Sequence, residues 1–188
     1  METQSDGRRR GTDHVNGAAG ADRIALRLLP IDAELQSVAE SGAAAFTTRY
    51  GVRADDFEFF VRDVVEPNIA HLQRVPRAVP FGAYLAVEAA TSTAVGACAF
   101  VTGPHERAVE IAYFTFPTCA GRGIATAMAL ELVAIARESK LVDVVFAHTL
   151  RESNASTRVL ARAGFGNRMD LVHPEDGPIW RFELTLWN

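Results

Sequence analysis

Residues 117–128 read PTCAGRGIATAM: two glycines about an arginine, set between an apolar, aromatic stretch and a segment of helical period. A strand, a glycine loop and then a helix place the free N–H groups of a first helical turn, and the positive end of its dipole, at a strand's end. Without Cβ atoms the backbone at 121 and 123 can curl and let an anion approach its amides, and phosphate binds at such places. The same glycines also serve as plain turn residues, and alone they do not separate the two readings. A dinucleotide fingerprint needs a third glycine at 126, where Thr126 stands, and an acid near the end of the next strand, whereas Asp143 is near its beginning.

The flanking chain alternates in period. Residues 1–22 hold almost nothing to bury and read as a disordered tail, leaving 23–188 as one domain. RIALRLLP is a strand, and Asp32 caps a helix predicted over 32–49. A second helix is predicted over 54–73, divided or kinked at Pro67. Its early acids Asp55, Asp56 and Glu58 either suit the helix's positive end or line an entrance for a cationic acceptor. FGAYLAVEA, AVGACAFVT and AVEIAYFTF read as an antiparallel meander turning at ATST and GPHER. Ile124, Met128, Leu132 and Ile135 give a largely buried helix over 122–139. LVDVVFAH at 141–148 has the near-continuous apolarity of a strand covered on both faces. A short helix, ASTRVLARA, ends at Gly164 and Phe165, and strands at about 165–172 and 179–187 flank HPEDGP.

Composition narrows the chemistry. A net charge of −4 over 188 residues supplies no basic field for nucleic acid or anionic membrane. No apolar run approaches the ~20 residues of a membrane span, and no signal peptide precedes the domain, so a cytoplasmic protein is expected. Lys140 is the only lysine, at a predicted helix end, which argues against Schiff-base chemistry and a GK[ST] phosphate loop. Cys98 and Cys119 lack CxxC or histidine-paired spacing and read as thiols, Cys119 the more exposed. His105 with Glu106 reads as a solvated turn and HPEDGP lacks metal-ligand geometry, so no metal is expected.

Four motifs in order, VEIAYFTFP, AGRGIATAM, AHTLRESNASTRVLARAGF and EDGPIWRFEL, make residues 24–187 resemble the GNAT superfamily of acyl-CoA-dependent N-acetyltransferases, and within it the ribosomal-protein N-terminal acetyltransferases. The resemblance implies an α/β (α+β) fold: a mixed sheet of about seven strands, mostly antiparallel, with a splayed parallel pair and about four flanking helices. It implies acetyl-CoA as co-substrate, its diphosphate held by the amides of Gly121, Arg122, Gly123, Ile124, Ala125 and Thr126. Gly123 and Ala125 match the family's loop, while Ala120 stands where Gln or Arg is usual. The pantetheine arm would pair with the backbone of Phe114, Thr115 and Phe116 as an added strand. Ser156 is the implied proton donor to the departing thiolate and Asn154 a cofactor-side hydrogen bonder, although both also fit as helix caps. Ser153 replaces the motif's usual Asn, and Leu160 a tyrosine of other branches.

Transfer to an amine requires its neutral form. A lysine-type amine is neutral in about one molecule in 2500 at pH 7 and an α-amine in roughly one in ten, so a base matters far more for the first. Glu110 is the candidate base, with an exposed strand carboxylate as the alternative, and His148 is either its helper or a structural strand-end histidine. Positioning of the reactants supplies most of the rate, with no acyl-enzyme. The expected acceptor is a peptide N-terminus or small-molecule amine. A CoA-binding sensor or assembly module that has lost turnover is the rival reading, supported by Ala120, Ser153 and Leu160; a protein-binding domain without cofactor is a third. The edge of the last strands permits a homodimer.

Overall fold

The computed structural model describes residues 24–174 and 177–187, so the predicted tail at 1–22 lies outside the described residues. Seven strands form one mixed sheet: β1 (Leu26–Pro30), β2 (Ala83–Glu88), β3 (Thr93–Phe100), β4 (Ala108–Thr115), β5 (Val144–Leu150), β6 (Asn167–His173) and β7 (Gly177–Thr185). Their spatial order is β1-β2-β3-β4-β5-β7-β6. Every pairing is antiparallel except that of β4 with β5. The helices are α1 (Ala33–Glu40), α2 (Ala43–Tyr50), α3 (Phe57–Phe59), α4 (Glu66–Arg74), α5 (Ile124–Ser139) and α6 (Ala155–Arg162). A π-helical turn over Phe60–Val65 makes α3 and α4 one continuous helix, giving five in all among the described residues.

The N-terminal helices differ from expectation in two ways. The predicted helix over 32–49 is two helices, because the chain turns at Ser41 and Gly42, where the Ser41 hydroxyl and N–H both bond the Ser37 carbonyl. Asp32 does cap the first, accepting the Leu35 N–H at 2.9 Å. Pro67 does not divide the second. It lacks an N–H, and in a regular α-turn its ring would strike the Asp63 carbonyl. The preceding turn widens instead: the Glu66 N–H bonds Val61, five residues back, and Asn68 Nδ2 donates to the Val64 carbonyl at 2.8 Å.

Helix α5 covers β3 and β4 on one face of the sheet, with α6 beside it and against β5. Its buried residues Ile124, Met128, Leu132, Val133 and Ala136 recur at helical spacing, as the periodicity predicts. On the other face Phe59 of α3 meets Phe114 and Phe116, and Asn68 of α4 borders Ala97, Ala99 and Ala112. The core holds Phe46, Phe60, Phe81 and Phe100, all essentially inaccessible. Among the described residues no helix is long and apolar enough to cross a membrane.

The sheet's centre is tight at one point. A Cβ at Gly96 of β3 would lie 2.5 Å from the Phe114 carbonyl oxygen of β4 and 3.1 Å from Met128 Cε. Gly96→Ala therefore forces β3 from β4 and is expected to cost about 1–3 kcal/mol. Denaturant midpoints read this directly; a midpoint equal to that of the parent would refute the tight contact.

Candidate active site

Strands β4 and β5 are paired at Ala108↔Val144, Val109↔Val145 and Glu110↔Phe146, and no further. Beyond Glu110, β4 continues to Thr115 held by β3, and β5 continues to Leu150 held by β7. Each strand follows its outer partner, so a wedge opens between them with Glu110 at its apex. This is the splayed parallel pair that the resemblance implies.

Which main-chain groups face the wedge follows from the two-residue period of an antiparallel ladder. Val101 N–H bonds the Glu110 carbonyl and Phe116 N–H bonds the Val95 carbonyl, so the even positions of β4 are turned to β3. Tyr113 and Thr115 turn their N–H and C=O groups into the wedge, whereas the Ile111 N–H still belongs to the last rung of the β4–β5 ladder, Glu110↔Phe146. The expectation that Phe114, Thr115 and Phe116 all offer free backbone groups is corrected to Thr115 together with Tyr113, because the groups of Phe114 face β3 and the Phe116 amide is already spent on Val95. The Phe114 and Phe116 rings pack with Phe59 on the opposite face.

At the wide end of the wedge lies a pocket of about 250 Å³, lined by Thr115, the 120–126 loop and α6. Gly121 and Gly123 have φ of +78° and +84°, the left-handed region that favours glycine. With Gly123 as N-cap, the N–H groups of Gly121, Arg122, Gly123, Ile124, Ala125 and Thr126 make no hydrogen bond among the described residues. Thr115 Oγ1 is buried without a partner. Arg158 and Arg162, one α-turn apart on α6, line the same pocket and have no carboxylate partner among the described residues. Sequence reading missed both, because their direction depends on how α6 packs. The Arg122 side chain points elsewhere, to the buried Glu88 carboxylate, and ties the loop to the end of β2. Cys98 and Cys119 are both free thiols and both buried, Cys119 slightly less deeply, and burial raises the Cys98 thiol above its ordinary value.

The opposite face of the wedge carries the titratable pair. Glu110 Oε1 and His148 Nδ1 are 2.8 Å apart, and both side chains are largely buried. His148 stands one strand period beyond Phe146, the register partner of Glu110. Strand β5 is thus covered fully on one face only, since Phe146 and His148 are half-buried where Val145 and Ala147 are buried; the expectation of cover on both faces does not hold. Beside the pair, Asn68, Ala97, Ala99, Ala112 and Phe114 line a hollow of about 160 Å³. Asp56 caps α3 through the Phe59 N–H, as the plainer reading has it. Asp55 and Asp56 also line a pocket of about 270 Å³ with Phe59 and Phe116.

Ser156 lies in the first turn of α6, on the pocket side of the sheet, so the candidate base and candidate acid occupy opposite faces joined by the wedge. Asn154 is the N-cap of α6: its Oδ1 accepts the Thr157 N–H while Thr157 Oγ1 accepts the Asn154 N–H, a capping box. Its NH₂ group makes no hydrogen bond among the described residues. Leu160 is fully buried beneath α6. A tyrosine comes instead from β4: the Tyr113 hydroxyl reaches the Ser156 carbonyl at 3.5 Å, and burial pushes its pKa up to about 12, so it stays a donor.

These features fit the carrier half of an acyl transferase. Free amides and two unpaired guanidiniums suit a diphosphate, unpaired strand groups and an orphan hydroxyl suit an amide-bearing arm, and a carboxylate waits on the far side. The chain belongs to the acetyltransferase (GNAT) domain family, whose model matches residues 23–166. It is an acetyltransferase with acetyl-CoA as co-substrate. Solved structures with the same fold include the acetyltransferase that modifies the N-terminal serine of ribosomal protein L7/L12 from Salmonella typhimurium, with TM-score 0.58 and 17% identity over 85% of this chain and 94% of that one. The microcin C7 self-immunity acetyltransferase MccE, in complex with acetyl-CoA and AMP, has TM-score 0.56 and 15% identity over 85% of this chain and 92% of its own. The aminoglycoside acetyltransferase AAC(6')-Ib in complex with coenzyme A has TM-score 0.52 and 17% identity, over 85% and 93%. No curated protein matches the chain in sequence.

Proposed function

We propose that the protein acetylates a primary amine, on a peptide N-terminus or a small molecule, by direct attack on the acetyl thioester through the wedge, with residues 23–188 as one catalytic domain in the cytoplasm. The observation that carries this is Glu110 at the apex, where the two strands part, with its carboxylate on the face opposite the phosphate-binding loop. The loop amides from Gly121 to Thr126, Thr115 and Asn154 hold the co-substrate, which supplies the acetyl group. Glu110 takes the proton of the attacking amine. Ser156, with the Tyr113 phenol beside it, supplies a proton on the leaving-group side. The acceptors of the similar structures, a ribosomal-protein N-terminus and aminoglycosides, bracket the class.

Arg158 and Arg162 make up for the missing side chain at Ala120. Both are exposed, so each contributes on the order of 1 kcal/mol to holding the phosphates. Replacing both with alanine is expected to weaken acetyl-CoA binding about thirtyfold at low salt, and less as salt rises. Calorimetry at two ionic strengths checks this; unchanged affinity would remove them from the site.

The function is tested by calorimetry with acetyl-CoA, followed by thiol release and product mass with serine-initiated peptides, lysine peptides and aminoglycosides. A gain of 42 Da, the acetyl increment, on the order of one per amine supports transfer. Binding with no thiol release from any amine would favour a CoA-sensing module instead, and no binding a domain without cofactor.

A further inference from the structure

We propose that His148 is a positioning residue and not the base: a neutral imidazole, protonated on Nδ1, that aims the Glu110 carboxylate at the acceptor amine. This rests on the acetyltransferase reading above and divides the labour within its acceptor face. A carboxylate only accepts, so the 2.8 Å contact requires the proton on His148 Nδ1. The other ring nitrogen, Nε2, is buried and has no hydrogen-bond partner among the described residues. In the Nδ1-protonated neutral ring that atom carries only a lone pair. In an imidazolium it would be a buried N–H with nothing to receive it, which is the costlier state. Neither nitrogen is therefore open to an incoming amine, one being turned to Glu110 and the other sealed.

Of the surrounding groups, the Glu110 carboxylate by itself favours a charged ring, and the sealed Nε2 opposes it. Arg181 of β7 is the register partner of His148; its guanidinium lies 3.6 Å from the Phe146 ring centroid and pairs with Glu183 at 2.7 Å. The groups facing His148 are thus one carboxylate that it already bonds and one cation whose charge is answered by its own neighbour. Glu110 keeps its second oxygen, which accepts no hydrogen bond among the described residues. That atom takes the proton as the amine nitrogen attacks the thioester carbon, and the C–S electron pair leaves on sulfur. His148 loses and gains nothing in the step.

Asparagine and glutamine separate the roles, because the Asn amide NH₂ falls near the position of Nδ1 and the Gln amide near that of Nε2. With acetyl-CoA and the most active amine of the three classes above, His148→Asn is expected to keep kcat within about tenfold of the parent, with the same KM for acetyl-CoA and the same acidic limb of the pH–rate profile. His148→Gln and His148→Phe are expected to lose about a hundredfold in kcat. If asparagine falls as far as glutamine and phenylalanine and its acidic limb disappears, His148 is the base and the proposal is overturned. Nitrogen-15 shifts of labelled His148 in the parent protein give a readout independent of turnover: protonated Nδ1 with bare Nε2 is expected at neutral pH, and the opposite tautomer or a doubly protonated ring overturns the proposal. Parent protein inactive on every amine would refute the acetyltransferase reading while leaving that spectroscopic result intact.

Discussion

Glu110→Gln will lower kcat/KM for a lysine-type amine by about 10²–10⁴ and leave acetyl-CoA binding within a factor of about two, if Glu110 is the base. The change keeps the side chain's shape, and the amide oxygen still accepts the His148 proton, so the strands have no reason to move. What is lost is the second oxygen's capacity to take a proton. A lysine-type amine is neutral in about one molecule in 2500 at pH 7, whereas an α-amine is neutral in roughly one in ten. The loss should therefore be smaller for a peptide N-terminus. In the variant the rate should climb about tenfold per pH unit until the amine's own pKa, because only amine already neutral can react. Steady-state rates at saturating acetyl-CoA across pH check this; a variant with parental kcat would remove Glu110 from the chemistry.

Gly123→Val will raise the Kd for acetyl-CoA by a hundredfold or more. The residue sits at φ +84°, where an L side chain costs about 1–2 kcal/mol, and its Cβ would meet nothing within 4 Å. The protein therefore has room for the substituent, but the backbone must leave the left-handed region to relieve it. That rotation turns the N–H groups of Ile124, Ala125 and Thr126 away from their common focus. Folding should suffer far less than binding. Calorimetry and thermal melting on the same sample separate the two effects, and a Kd unchanged from the parent would mean that the loop does not hold the phosphates.

What the sequence made legible was local. Asp32 could be read as a cap because a cap needs only its own next three residues, and the glycine loop because strand, turn and helix are contiguous. The meander followed from alternation and short turns. The features that escaped are those set by packing between distant segments. Glu110 and its helper His148 are legible as candidates, but their contact joins positions 38 apart and depends on the register of a parallel pair only three residues long. Arg158 and Arg162 read as ordinary exposed arginines until α6 is set beside the loop. Alternation along β4 does not say which neighbour each main-chain group faces, so only the bond to the Val95 carbonyl shows that the Phe116 amide is not free. Pro67 announces a disturbance, but not whether the helix breaks or widens; the turn before it widens, with the Glu66 N–H reaching back to Val61.

Hydrogen exchange with and without CoA tests the account most directly. Saturating CoA should protect two separate stretches together, Tyr113 to Thr115 along the open side of β4 and Gly121 to Thr126 at the start of α5, while the paired amides of β6 and β7 stay as they were. CoA bound at saturation with both stretches exchanging at their unliganded rates would contradict the wedge as its seat.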